Sequence, residues 1–258
     1  MTDVIGKRPG TAGEVGRFSF GMGGLGRLGV GGSAQPGVLN PLSQAGDEVM
    51  GFTMGDVADA GELQELLEVR TRRLLLRPLR SDDFGAMAPL LAANAAALEA
   101  VGIVTLVQIG SDRAAYDQFL ADITFLRAID QRVDLGVFAD DELLGMVGLH
   151  SIQRGQVETA AAMAWVAQAH AGRGCVTEAL AGLLGLAFDD LALHRVEAAV
   201  LPDNAAARRV AAKLGFEDEG LVRRWGTVRG VWRDFCRASI TVEDWNARRD
   251  EYTRLYGV

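Results

Sequence analysis

Cysteine is scarce in this chain of 258 residues: there are two, Cys175 and Cys236. They show neither metal-ligand spacing nor a pairing pattern, which argues against a disulfide scaffold or a metal site and makes a reducing cytoplasm the simplest setting. No block of lysines or arginines occurs, and the formal net charge is −8. Binding a phosphate backbone takes a concentrated basic footprint, so nucleic acid is set aside as a partner. The opening residues, Met1 to Arg8, lack the apolar stretch of a secretory signal. The longest greasy run, residues 90–109, is broken by Asn94, Glu99 and Gln108. It reads as a buried helix and strand, with no membrane span. What remains is ordinary globular material, 49% hydrophobic and 23% charged. An acidic surface mildly favours cationic substrates such as amines.

Two regions differ in composition. Fifteen of the first sixty residues are glycine, and each loses much backbone entropy on ordering. Residues 1–61 therefore read as a flexible or loosely docked extension. Gly21, Gly23 and Gly26 match a dinucleotide fingerprint in spacing alone, because no strand precedes them and more glycine follows. Residues 62–73, bearing Leu63, Leu66 and Leu67, read as a charged lead-in helix to the domain at 62–258.

That domain alternates strands and helices. Residues 74–76 form a short apolar strand, and Ser81 offers a helix N-cap with Asp82 and Asp83 in the first turn. Ser111 or Asp112 opens a second helix, with Tyr116, Phe119, Leu120, Ile123 and Leu126 on one face. Residues 133–138 and 143–152 are strands joined by a turn at Ala139-Asp140-Asp141, and 157–167 is a third. A helix follows Gly174 to about Leu191, then a strand at 195–200 and a helix at 204–214 stopped by Gly215. Two last strands surround 222–225 and 232–240. The sum is an α/β (α+β) fold, a mixed sheet with helices packed on it.

The informative stretch is Trp165-Val166-Ala167-Gln168-Ala169-His170-Ala171-Gly172-Arg173-Gly174-Cys175-Val176-Thr177-Glu178. A strand ends, a glycine-bearing turn follows, and a helix begins. Gly172 and Gly174 let backbone N–H groups converge, and the helix adds roughly half a positive charge at its mouth. Such a turn can cradle a pyrophosphate, with each N–H bond to a charged oxygen contributing about 1.5–3 kcal/mol. The same residues also read as a tight turn without a ligand.

With Leu193-His194-Arg195-Val196-Glu197-Ala198, and with the run from Asn204 to Phe216 that ends Lys213-Leu214-Gly215-Phe216, the stretch resembles the GNAT acetyltransferases, nearest their RimJ/RimL-like ribosomal-protein branch. Leu74-Leu75-Leu76-Arg77-Pro78, Trp232-Arg233-Asp234 and Asp244-Trp245 fit the same branch. The resemblance runs from about Arg72 to Trp245 and implies a curved, mostly antiparallel central sheet flanked by helices. It implies acetyl-CoA as co-substrate and no metal. The pyrophosphate would lie on the main chain of Ala171, Gly172, Arg173, Gly174, Cys175, Val176 and Thr177. The pantetheine arm would pair with the strand at Trp165 and Val166, near Asn204, which also reads as the N-cap of its helix. Many relatives carry serine at the position of Ala207, tyrosine near Ala238 and a polar residue at Ala171.

The implied reaction is direct attack of an amine on the thioester. At neutral pH a lysine costs roughly 4–5 kcal/mol to deprotonate and an α-amine about 1–2. The expected acceptor is therefore a peptide N-terminus or a small amine of low pKa. His150 and Glu158 are the candidate bases, although a lone histidine at a strand end and a hairpin carboxylate also read as packing or solvated residues. A homodimer is left open. The alanines at 171, 207 and 238 leave a second reading, an acyl-CoA-binding module that has lost turnover and acts as a sensor or interaction domain.

Overall fold

A computed structural model describes residues 19–20 and 67–258. The dinucleotide-like glycines and the start of the lead-in helix lie outside the described residues.

Nine strands among the described residues form one sheet. They are β1 (Ser19–Phe20), β2 (Val69–Arg70), β3 (Leu75–Arg77), β4 (Arg132–Ala139), β5 (Glu142–Gln153), β6 (Thr159–Val166), β7 (Arg195–Val200), β8 (Glu217–Val228) and β9 (Val231–Thr241). The spatial order is β2-β3-β4-β5-β6-β7-β9-β8, with β1 against β6. All pairings are antiparallel except β6 with β7. The β4–β5 hairpin turns on Asp140 and Asp141 at φ 46 and 68, the pair of left-handed residues that a tight hairpin requires and aspartate tolerates.

Helices cover both faces. On one lie α1 (Phe84–Ala100), α2 (Val104–Ile109) and α3 (Arg113–Ala128), whose Leu91, Leu106, Tyr116 and Ile123 pack with Met146, Met163 and Trp165 of the sheet. On the other lie α4 (Cys175–Gly185), carried on by a π turn at Leu186–Asp190, and α5 (Ala205–Lys213). Their Leu180, Leu184, Val210 and Leu214 pack with Val147, Leu149, Ala162, Ala164 and Val196. The two layers follow from strand alternation, since i and i+2 share a face. The last helices, α6 (Val242–Ala247) and α7 (Arg249–Tyr256), lock this second layer. Trp245 stacks on Tyr252 at 4.4 Å, and the Tyr252 hydroxyl donates to the Leu214 carbonyl at 2.8 Å.

Several local expectations are corrected. Residues 67–73 are not helical, because Val69 and Arg70 pair with Leu76 and Leu75 and that pairing overrides helix propensity. Residues 104–109 form α2 rather than a strand, burying Leu106 and Ile109 at helical spacing. Ser81 does not cap α1. It starts a 3-10 turn (Ser81–Asp83) in which Asp83 accepts from the Arg80 N–H at 2.7 Å and pairs with both Arg77 nitrogens at 2.8 Å. The end of α5 follows the expected glycine stop. Gly215 sits at φ +76, its N–H bonds the Ala212 carbonyl, and the Phe216 N–H bonds that of Ala211, which is the Schellman arrangement.

Helix α4 approaches β2 and β3 closely. A Cβ on Gly182 would meet Leu76 and Thr71 side chains at 2.9 Å. Gly182→Ala is therefore expected to destabilise the fold by about 1–3 kcal/mol, read as a lower urea midpoint at unchanged slope. An unchanged midpoint would mean this contact is loose.

Candidate active site

β6 is paired with β5 along one edge, from Val166 to Thr159. On its other edge β7 pairs only at Thr159, Ala160 and Ala161. Beyond Ala161 the two parallel strands part, and the remaining residues of β7 pair only with β9. The sheet thus has an interior notch whose wall is the main chain of residues 162–166.

The notch opens at the C-terminal end of β6 onto the glycine turn. Gly172 and Gly174 both take left-handed φ, +75 and +81, a conformation glycine adopts without penalty. Gly174 is the N-cap of α4. Among the described residues the N–H groups of 172–177 make no main-chain hydrogen bond, the first helical bond running from Glu178 to the Gly174 carbonyl. Six successive donors at the positive end of a helix make an anion cradle. Beside it is a depression of about 160 Å³, lined by Gly172, Gly174, Thr177, Ala206, Arg209 and Lys213 among others. Arg209 and Lys213 lie one turn apart on α5, and neither has a carboxylate partner among the described residues. The sequence carried a signal for this cation pair, its i,i+4 spacing on the helix after Asn204.

Three contacts hold the turn in place. Asn94, buried in α1, accepts from the Gln168 N–H at 2.8 Å. Its amide also donates to the Leu90 carbonyl at 2.8 Å. Glu178, buried in the first turn of α4, accepts from the Arg73 N–H at 2.7 Å, from Arg73 Nε at 2.6 Å and from the Thr71 hydroxyl at 2.8 Å. Arg73 in turn donates to the Arg173 carbonyl at 3.1 Å. The Glu178 charge is engaged by the turn between β2 and β3, behind the cradle. In the sequence Asn94 stood out only as an interruption of an apolar run, and Glu178 only as the end of the glycine-turn stretch.

The sequence-predicted residues divide. The cradle residues and Trp165 and Val166 come together at the notch. Cys175 and Thr177 are buried in the first turn of α4. Asn204 caps α5, its Oδ1 accepting from the Ala207 N–H at 3.1 Å. Glu158 sits at the far end of β6 from the cradle, at φ +38. There it accepts from the Gly155 N–H at 2.7 Å and pairs with Arg154 at 3.1 Å.

His150 lies opposite Ala161, the residue after which the notch begins, and just before a register shift in β5. A bulge of this kind re-aims side chains. His150 is buried, and its Nε2 lies 3.0 Å from Asp134 Oδ1. Arg132 binds both Asp134 oxygens, with Nη2 at 2.8 Å from Oδ1 and Nε on Oδ2. Burial pushes the Asp134 carboxyl up, but the His150 ring and the Arg132 guanidinium outweigh it and hold the group down at about 2. An ionised carboxylate only accepts, so Nε2 carries a proton. His150 Nδ1 is left buried without a partner, as is Trp165 Nε1. Alternation along β5 and β6 places both side chains on the α1–α3 side.

Among the described residues no cluster of histidine, cysteine, aspartate and glutamate could hold a metal ion, and no helix is long and apolar enough to cross a membrane.

Comparison with known proteins gives this geometry a context. A family described as acetyltransferase (GNAT) domain matches residues 73–217. The chain is similar to the probable N-acetyltransferase YjcK of Bacillus subtilis, 41% identical over 107 residues, covering 41% of this chain and 59% of the relative. It is also similar to the ribosomal protein uS5-alanine N-acetyltransferase of Escherichia coli, 28% identical over 116 residues, covering 44% and 60%. The chain thus spans about three fifths of the length of these curated relatives. Among solved structures, Mycobacterium smegmatis RimJ in complex with CoA-disulfide aligns at a TM-score of 0.62 and 26% identity, over 70% of this chain and 93% of that one.

The Asp134 charge has a pH signature. Its carboxyl titrates lower in the folded chain than its ordinary 3.8, so the stability it supplies is complete above that value and lost as pH falls toward 2. Asp134→Asn removes it. Urea unfolding is expected to show a gap between wild type and variant, on the order of 2 kcal/mol near neutrality, that closes as pH drops through this window. A constant gap would show that folding leaves the Asp134 carboxyl at its ordinary pKa.

Proposed function

Because the chain belongs to the GNAT acetyltransferase family, we propose that it transfers an acetyl group from acetyl-CoA to a primary amine, with a protein or peptide N-terminus as acceptor. The observation that carries this is the continuity of cradle and notch: six main-chain N–H donors lead directly into the strand edge that β7 leaves open beyond Ala161. The pyrophosphate rests on the amides of residues 172–177, with Arg209 and Lys213 supplying positive charge beside it. The pantetheine arm carries two amides, and it runs down the edge of β6 pairing with main-chain groups at 162–166 as a strand would. That path brings the thioester toward Ala161 and places His150 across the sheet from it. The neighbouring RimJ structure holds CoA as a disulfide, in keeping with this donor.

In this arrangement His150 Nδ1 takes a proton from the incoming ammonium. The freed amine attacks the acetyl carbonyl and the carbon–sulfur bond breaks; the proton shed by the acylated nitrogen passes to the departing sulfur, so that CoA leaves as the free thiol. Asp134 acts through His150, fixing the tautomer and offsetting the imidazolium charge, with Arg132 holding the carboxylate in line. One imidazole is a modest base, which suits an α-amine better than a lysine. The uS5-alanine N-acetyltransferase, named for a protein acceptor, agrees with that preference. Glu158 is assigned to bracing the β5–β6 turn. A buried base with an oriented free nitrogen favours turnover over a donor-binding module without catalysis. The two thiols are free, which suits a reducing compartment, and the reaction is placed in the cytoplasm.

Two substitutions separate binding from chemistry. His150→Gln is expected to lower kcat by about 10²–10³ while leaving CoA affinity unchanged by calorimetry. Equal kcat would remove His150 from the mechanism. Arg209→Ala with Lys213→Ala is expected to weaken CoA about tenfold or more while sparing S-acetylpantetheine, which lacks the phosphates. Equal losses for both donors would contradict the placement of the diphosphate.

A further inference from the structure

The notch is not empty. β1 pairs antiparallel with β6, Ser19 opposite Trp165 and Phe20 opposite Ala164, and it also lies against β7. The opposite edge of Trp165 and Ala164 is already taken by Met146 and Val147 of β5. β1 therefore occupies the edge that β7 leaves open. Outer edges of the sheet exist at β2 and β8, yet this segment from far upstream joins the sheet inside its interior opening.

A backbone edge accepts one strand at a time. Each N–H has one proton to give, and neighbouring strands sit about 4.8 Å apart, so two extended partners cannot share residues 164 and 165. We infer that the segment containing Ser19 and Phe20 is a built-in competitor of the acyl donor: it pairs with the stretch of β6 that the pantetheine arm needs, and donor and segment exclude one another. This rests on the donor path proposed above. The competition is intramolecular, so the segment acts at an effective concentration set by the chain that tethers it. The donor's apparent dissociation constant rises in inverse proportion to the fraction of molecules with the notch open. Anything that captures the segment, a partner protein or a modification at Ser19, would raise donor affinity without touching the cradle.

The test uses the full chain, comparing wild type with Ser19→Pro/Phe20→Pro, which removes two main-chain donors. Calorimetric titration with CoA is expected to give a dissociation constant about tenfold lower for the variant, the scale of one or two backbone hydrogen bonds lost by the competitor. In the wild type, saturating CoA is expected to abolish hydrogen-exchange protection of the Ser19 and Phe20 amides. Affinities within twofold of each other, or protection of both amides unchanged at saturation, would overturn the competition while leaving donor binding intact. No binding heat from either protein would instead bring down the donor path and this inference with it.

Discussion

A strand edge inside a sheet has to be paired, and in this protein the parallel pairing of β6 with β7 stops after Ala161. The proposed function follows from that interruption. The main-chain groups of residues 162–166 are left facing an opening, and an unpaired buried amide costs about as much as a lost hydrogen bond. The opening thus calls for an extended, amide-bearing occupant. A pantetheine arm meets that description, and so does a short peptide strand. The same constraint explains why Ser19–Phe20 is found where it is.

The surroundings of the opening are stiff where the chemistry needs them to be. The cradle is fixed from the front by Asn94 and from behind by Arg73 and Glu178. Its donors therefore need little reordering when a ligand arrives, and preorganisation of this kind is where binding gains come from. His150 is fixed in the same way by a carboxylate with both oxygens engaged by Arg132. The cost of burying these charges is offset because each is paired and hydrogen-bonded.

Much of this was legible in the sequence. The glycine turn, the strand before it and the helix after it follow from residue type and order, and the Asp140-Asp141 turn and the Gly215 stop follow from local stereochemistry. The elements decided by long-range pairing were not legible. Leu63, Leu66 and Leu67 suggest a helix through residue 73, and only the partner strand at Leu75 and Leu76 makes residues 69–70 extended. Residues 104–109 are rich in branched apolar side chains, yet packing against α1 makes them a helix. His150 was visible as a lone histidine. Its partner Asp134, sixteen positions away on a neighbouring strand, became apparent only with the register of β4 against β5. The link between residues 19–20 and 164–165 had no local signal at all, since two residues in a glycine-rich stretch carry no pattern of their own.

The central claim is that donor recognition is carried by main-chain amides at the mouth of α4 and along β6. Amide chemical-shift mapping during a CoA titration tests it most directly. Saturable shifts are expected to concentrate at residues 172–177 and 162–166, with the β8–β9 turn unmoved. Saturable CoA binding that leaves those two stretches unshifted would contradict it.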